Sequence, residues 1–409
     1  MGPGKKTIVQ INVESNFGST GRISENLSNH LLHADYNSII AHGPIYRESN
    51  STTIKIGTKI DYYTHILTTR IFDKHGLASK KATKVFLSNL KNLKPDLIHL
   101  HNIHGYYINY ELLFQFLKSV NIPVIWTLHD CWAFTGHCAH FEYINCEKWK
   151  TECHKCPLTH TYPKSWFTDR STINFNQKKI AFSNLNNLTL VPVSNWLASK
   201  IKDSFLYPYP IKTITNGIDT NTFKPVSTLA YTNKKNWTKF SIILGVASVW
   251  DTTKGWEDFI KMAALLKKDE RIVLIGLSKK QINLLPKNII GLERTESKDE
   301  LIQLYSIAKV FMNLTYADTY PTTNLESLAC GTPVITYNTG GSVEEIRNYN
   351  GKIVNQGDFE SAYNTFAEMK KTFKSNNTLK IRKDVLTRLD KTIQIKKYDE
   401  LYHSLLINR

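Results

Sequence analysis

No run of about eighteen consecutive apolar residues occurs in the 409-residue chain, which excludes an ordinary membrane-spanning helix. The N-terminus lacks the basic, apolar and small-residue succession of a secretory signal, so a cytoplasmic protein is expected. Met1 to Gly4 read as a cloning remnant. Short-period repeats and low-complexity tracts are missing too, which leaves no case for a solenoid. Acidic residues are few: 35 Asp and Glu face 52 Lys and Arg, a formal net charge of +17. That balance attracts anionic partners such as nucleic acids, lipid headgroups or phosphorylated substrates, without choosing among them. Cysteine is scarce except in one place, where five of the six fall between Cys131 and Cys156. What is plentiful is apolar material, 41% of the chain, enough for substantial cores and, at this length, two domains.

The pattern alternates strand and helix. Thr7 to Val13 is rich in β-formers, Gly18-Ser-Thr-Gly21 reads as a turn, and Arg22 to Leu32 has helical spacing. Residues 95–100 and 123–128 read as short buried strands with polar C-terminal ends, where open α/β sheets place ligands. Leu188 to Val193 and Lys212 to Thr215 continue that series. A second series follows the polar stretch from Thr228 to Lys239: strands at Ser241–Ala247, Arg271–Ile275, Val310–Leu314 and Pro333–Thr336, with helices at Trp256–Lys267 and Lys298–Ile307. The expectation is an α/β protein of two doubly wound, Rossmann-like domains facing a cleft, residues 5–228 and 229–390. Residues 391–409 form a C-terminal helix able to pack back on the first.

The run from Asp318 to Pro333 carries the sharpest chemistry. Pro321 fixes the entry to a helix starting at Thr322 or Thr323, whose first N–H groups and positive dipole end suit a diphosphate. Glu326 one turn later can accept from two vicinal hydroxyls, as on a ribose, and Asp318 can reach a sugar hydroxyl beyond the phosphates. A structural alternative is a capping box, with Thr323 as N-cap and Glu326 three residues on.

Taken together, several stretches resemble the retaining glycosyltransferases of family 4, which have the GT-B fold, and especially bacterial members that build capsule, exopolysaccharide or O-antigen. They are Phe17-Gly-Ser-Thr-Gly-Arg22, Trp126-Thr-Leu-His-Asp-Cys-Trp132, Asn216 to Pro225, Lys254-Gly255, the run from Asp318, and Gly331-Thr-Pro-Val-Ile335. The resemblance implies a nucleotide-sugar donor site. Asp318 would face the donor sugar and Glu326 the ribose, the two ends of an acid-x7-acid motif in which Asp replaces the usual Glu at the first position. Thr322 and Thr323 would offer backbone N–H groups to the diphosphate, and Lys254 a point charge. Ser248 stands where the family usually has an arginine, which leaves Arg294 as a possible helper. Gly18 and Ser19 would permit close approach at the first turn. His129 would contact the donor sugar, and Asp130 would orient it or the acceptor. The leaving diphosphate would itself help deprotonate the acceptor, with no catalytic metal. UDP is favoured over GDP on general frequency alone. The acceptor implied is a polyprenyl-diphosphate-linked glycan, in a peripheral enzyme at the inner face of the cytoplasmic membrane.

The cysteines form a separate feature, an insertion spanning residues 131–166. Cys138-x7-Cys146-x6-Cys153-x2-Cys156 ends in a knuckle and, in a reducing compartment, predicts a structural zinc rather than disulfides. His137, His140 or His154 could replace one ligand, and Cys131 is expected to pack behind His129. A basic concentration at Arg70, Lys74, Lys80, Lys81, Lys84, Lys91 and Lys94, interleaved with Phe72, Leu77, Val85, Phe86 and Leu90, fits an amphipathic helix on an anionic membrane or an ordinary packed helix. Two other functions fit less well: a GT-B sugar-nucleotide epimerase, and a zinc-containing nucleic-acid-binding protein. The second lacks an aromatic-basic motif beside the cysteines, so no nucleic-acid partner is expected.

Overall fold

The computed structural model describes residues 4–34, 36–372 and 375–407. Met1–Pro3, most of the segment read as a cloning remnant, and the last two residues of the segment 391–409 lie outside the described residues. The described residues of Met1–Thr215 and Ile395–Arg409 make one compact unit, and those of Asn216–Gln394 make a second.

The first unit runs β1 (Lys6–Ser15), α1 (Gly18–His33), β2 (Tyr36–Tyr46), β3 (Thr52–Lys55), α2 (Lys59–Phe72), α3 (Lys80–Leu93), β4 (Leu97–Leu100), α4 (Tyr110–Ser119), β5 (Val124–Leu128), α5 (Ser171–Phe182), β6 (Leu188–Pro192) and α6 (Asn195–Lys202). Its six strands form one parallel sheet in the order β3-β2-β1-β4-β5-β6. The second runs α7 (Leu229–Lys235), β7 (Ser241–Val246), α8 (Trp256–Met262), β8 (Glu270–Ile275), α9 (Lys279–Ile282), β9 (Ile289–Leu292), α10 (Lys298–Ile307), β10 (Val310–Asn313), α11 (Thr322–Ala329), β11 (Val334–Tyr337), β12 (Gly351–Val354), α12 (Phe359–Thr372) and α13 (Ser375–Arg388). Again six parallel strands form one sheet, ordered β12-β11-β10-β7-β8-β9. The last helix, α14 (Lys391–Ile407), contributes to the first unit from Ile395 onward.

Strands buried on both faces explain why the central runs read as continuous apolar stretches instead of alternating ones. In the first unit Ile8, Leu97, Ile125 and Val191 pack with Ile23, Leu27 and Leu31 of α1 and with Tyr398, Leu401 and Tyr402 of α14. The polar tips of those tyrosines are satisfied inside. Tyr402 hydroxyl bonds His99 Nδ1 at 2.7 Å, and Thr127 bridges His99 Nε2 and Tyr398 hydroxyl at 2.8 Å each. In the second unit Ile243, Ile272, Leu274, Val310, Met312 and Ile335 form the sheet's share of the core.

Three expectations are corrected. Gly18–Gly21 is the first turn of α1, not a separate turn: Gly18 adopts φ +62°, and a side chain there would collide with the Glu14 carboxylate. Lys212–Thr215 adds no seventh strand. Lys212 N–H bonds Leu190 O at 2.9 Å and Ile214 N–H bonds Pro192 O at 3.1 Å, but Pro192 on β6 has no N–H to return, so the segment makes one isolated bridge, Leu190 to Ile211, and not a full ladder. The basic stretch from Arg70 to Lys94 is the end of α2 plus all of α3, separated at Asp73 in the left-handed region. Leu77, Phe86 and Leu90 from its apolar set point into the core, leaving only Phe72 and Val85 exposed.

Candidate functional site

In the second unit, Lys254, Asp318 and the start of the Thr322 helix come together beyond the C-terminal ends of β7 and β10, the central strands of a parallel sheet. Chain leaving β7 makes a short 3-10 turn at Thr252–Lys254, held by Asp251, whose Oδ1 accepts from the N–H of Thr253 at 2.9 Å and of Lys254 at 3.2 Å. Gly255 then takes φ +72° against the Leu314 carbonyl, where a side chain would collide. This places the Lys254 ammonium over the loop after β10. It donates to Asp318 Oδ2 at 2.9 Å, Ala317 O at 3.2 Å and Thr315 Oγ1 at 3.4 Å. Lys254 and Asp318 are both partly exposed, so a strong charge pair stands beside a helix start while still reachable from solvent.

That helix is α11. It begins at Thr322 with Pro321 as N-cap, and no side chain caps it. The Thr323–Glu326 capping box is therefore not formed. Pro321 starts the helix two residues earlier than the box requires, and the Glu326 Oε2 accepts from the Tyr305 hydroxyl at 2.9 Å. Glu326, one turn into the helix, is only 7% exposed, so its carboxylate is packed against protein beside Tyr305 instead of standing in solvent. The first N–H groups of α11 have no intrahelical acceptors, as at any helix start.

Several supports had gone unread in the sequence. Gly340 approaches Asp318 so closely that a Cβ would strike the Asp318 carbonyl, and the Gly341 N–H donates to that carbonyl at 3.1 Å. Asn216 Nδ2 donates to Tyr320 O at 3.1 Å, which explains the first residue of the Asn216–Pro225 motif. Beneath α11, Asn324 donates to Glu345 Oε1 at 2.7 Å and accepts from Asn313 at 3.0 Å. Burial pushes the Glu345 carboxyl well up, against the pull of that Asn324 bond. A Gly-Gly turn followed by paired glutamates, just past a strand, was the available signal. Arg294 lies exposed beyond β9, the edge strand, with β7 and β8 between it and β10 in the sheet order.

In the first unit the C-terminal ends of β4 and β5 carry His101, His104, His129 and Asp130, which line one small cavity with Trp132. His129 Nε2 lies 3.3 Å from His101 Nδ1, with the rings stacked at 5.6 Å. Burial pushes the His129 imidazole down to about 4, with Asp130 pulling the other way. Asp130 makes its ion pair with His104, Nε2 to Oδ2 at 2.9 Å, and its Oδ1 accepts from the Trp132 N–H at 2.9 Å. Although burial opposes it, the adjoining His104 helps hold the Asp130 carboxyl down to about 2. His104 Nδ1 meets the Tyr162 hydroxyl at 2.9 Å, forming a hydroxyl–imidazole–carboxylate chain absent from the expectation. Gly18 and Ser19 start α1 beyond the C-terminal end of β1, on the same edge of the sheet.

In the insertion, Cys138, Cys146, Cys153 and Cys156 line a single cavity. Among the described residues no three His, Cys, Asp or Glu side chains are grouped tightly enough to hold a metal ion as they stand. Cys131 is buried, its N–H bonded to Ala139 O at 2.9 Å. No helix among the described residues is long and apolar enough to cross a membrane.

Comparison with known proteins agrees with this geometry. Residues 21–222 match the family described as Glycosyltransferase Family 4, and residues 230–382 match Glycosyl transferases group 1. The chain is 26% identical over 270 residues to the putative colanic acid biosynthesis glycosyl transferase WcaC of Escherichia coli K12, a match spanning 64% of each chain. Among solved structures, sucrose-phosphate synthase from Thermosynechococcus elongatus superposes with a TM-score of 0.74 at 16% identity, covering 99% of this chain and 100% of that one. Anabaena HepE in complex with UDP-glucose gives 0.66 at 13% identity, covering 97% and 99%. WaaG, a glycosyltransferase involved in lipopolysaccharide biosynthesis, gives 0.66 at 14%, covering 96% and 98%. These likenesses establish the GT-B fold, with two parallel six-stranded sheets. The chain belongs to glycosyltransferase family 4.

Proposed function

We propose that the protein is a retaining glycosyltransferase that moves a sugar from a nucleotide diphosphate to a hydroxyl of a lipid-linked glycan in bacterial surface polysaccharide synthesis. The observation that carries this reading is the joining of Lys254 and Asp318 beside the uncapped start of α11, with the buried Glu326 one turn into that helix. Lys254 and the N–H groups of Thr322 and Thr323 receive the diphosphate, and Glu326, braced by Tyr305, takes the ribose hydroxyls. Asp318 then exchanges Lys254 for a donor-sugar hydroxyl. In the transfer step the bond from the anomeric carbon to the diphosphate oxygen breaks. The acceptor oxygen bonds that carbon on the same face, and its proton passes to the departing diphosphate. Positive charge at Lys254 and α11 favours that departure.

UDP is the preferred base in this reading because HepE, of the same fold, is known with UDP-glucose. Surface polysaccharide synthesis follows from the role named for WcaC. A membrane-delivered acceptor is supported by the first unit's surface. Ile60, Tyr63 and Leu67 lie along one face of α2 and are more than half exposed, and Trp166 and Phe167 run beside its end, tied by Trp166 N–H to Arg70 O at 2.6 Å. Lys59, Arg70, Lys74 and Lys164 surround them in the sequence, a combination suited to an anionic bilayer surface. His129, Asp130 and His104 are assigned to positioning the reacting sugars.

The test is UDP release from a panel of UDP- and GDP-sugars in the presence of lipid-linked acceptors, with product stereochemistry read by NMR. Transfer with retained configuration is expected. Epimerised donor without transfer, or no turnover of any donor, contradicts the proposal.

A further inference from the structure

The cavity in the insertion is lined by Cys138, Cys146, Cys153, Cys156 and His137, and those side chains do not stand there as inert thiols would. Cys138 and Cys156 are hydrogen-bonded to each other through sulfur. Backbone N–H groups are aimed at two of the sulfurs: Gly136 donates to Cys153 Sγ at 3.2 Å, and Leu158 donates to Cys156. Backbone donors aimed at sulfur are the outer-shell contacts that orient a ligating side chain.

His137 supplies an independent sign. Its side chain is wholly buried, and its Nδ1 lies 2.7 Å from Asp73 Oδ1, also wholly buried. A carboxylate there fixes the proton on Nδ1 and leaves the Nε2 lone pair available. That Nε2 is buried without a hydrogen-bond partner. Carboxylate on one nitrogen and metal on the other is the usual arrangement of a ligating histidine.

Charge points to the same set. Lys178 is 2% exposed, donates to Trp132 O at 2.7 Å and Thr135 O at 3.1 Å, and lies 3.6 Å over the Trp132 ring. The Cys138 and Cys153 sulfurs lie within its electrostatic reach, as do the Asp73 and Asp130 carboxylates.

We propose that Cys138, Cys153, Cys156 and His137 hold a zinc ion, with Asp73 orienting the histidine and the buried Lys178 beside the site. Cys146 is then a neighbour of the site and not a ligand, a departure from the tetrathiolate that spacing alone suggests. Binding draws the four side chains in to metal-bond distances and sends three thiol protons to solvent. The site has a structural role, closing the insertion that carries Tyr162 toward His104. It stands whether or not the protein transfers sugar.

The test uses the full chain. Metal analysis after mild purification, or titration with Zn2+ alone, is expected to give one equivalent, and Co2+ substitution is expected to give the charge-transfer intensity of three thiolates in a tetrahedral field. Cys146→Ser is expected to keep the metal. Cys156→Ser and His137→Gln are expected to weaken it at least tenfold, and Asp73→Asn about 10- to 100-fold. Far-UV circular dichroism separates ligand loss from misfolding, and Co2+ spectra of folded Cys146→Ser read the ligand set without any fragile variant. No metal uptake by the wild type overturns the site. Loss of metal in Cys146→Ser, or a four-thiolate Co2+ spectrum, overturns the ligand set.

Discussion

The two units share a sheet topology and differ sharply in chemistry. All fourteen histidines lie in the first unit and none in Asn216–Gln394. The second gathers a lysine, two carboxylates and a helix start. Burial keeps His65, His99, His101 and His129 of the first unit uncharged. Similar scaffolds thus carry an electrostatic grip in one case and a proton-sensitive wall in the other.

The largest effect expected is on the grip. Lys254→Ala removes the charge that the proposed function assigns to the diphosphate and should lower turnover about 100-fold or more, with the fold retained because Lys254 is partly exposed. Steady-state kinetics with a donor-saturated enzyme checks this. A loss under threefold would move the phosphate charge elsewhere, with Arg294 the next candidate.

Acid should divide the units. The buried imidazoles have an ordinary value of 6.5, lowered to about 4 for His129 and about 3 for His65 and His99. Below 6.5 the unfolded chain takes up protons that these folded imidazoles refuse. Their contribution is therefore complete above 6.5 and is lost as pH falls toward 4 and then 3. Hydrogen exchange resolved by peptide at pH 7 and pH 5 should show the first unit opening more readily at the lower pH, with the histidine-free unit changed much less. Equal change in both would break the comparison.

A smaller effect concerns the surface. Trp166→Ser with Phe167→Ser should weaken co-sedimentation with vesicles containing phosphatidylglycerol by about tenfold, leaving nucleotide binding untouched. Binding that is unchanged, or that ignores anionic lipid in the wild type, would remove the membrane from the acceptor reading. The smallest is Tyr305→Phe. Losing its bond to Glu326 should weaken UDP affinity about fivefold, the worth of one neutral-to-charged hydrogen bond in part, read by calorimetry.

Much of this was local enough to be read along the chain. Buried parallel strands such as Leu97–Leu100 and Val124–Leu128 announce themselves as apolar runs, and Pro321 before Thr322 marks a helix start. Edge strands were harder. β9 and β12 have only four residues each, β9 is interrupted by Gly291, and Ile353 on β12 is exposed. Pairings across long separations left no trace in spacing: Asp130 with His104, Glu326 with Tyr305, Gly340 against Asp318. The capping box misled because its pattern is satisfied by sequence alone, while the Tyr305 hydroxyl, 21 positions away, draws the carboxylate.

Glu326 is where the account is most exposed. Calorimetric titration of UDP into the wild type and Glu326→Ala measures it directly. Saturable binding by the wild type, weakened at least tenfold in a variant with unchanged circular dichroism, is the result expected. Equal affinity in the two proteins, or no binding of UDP or GDP to the wild type, would contradict the claim that the start of α11 is a nucleotide grip.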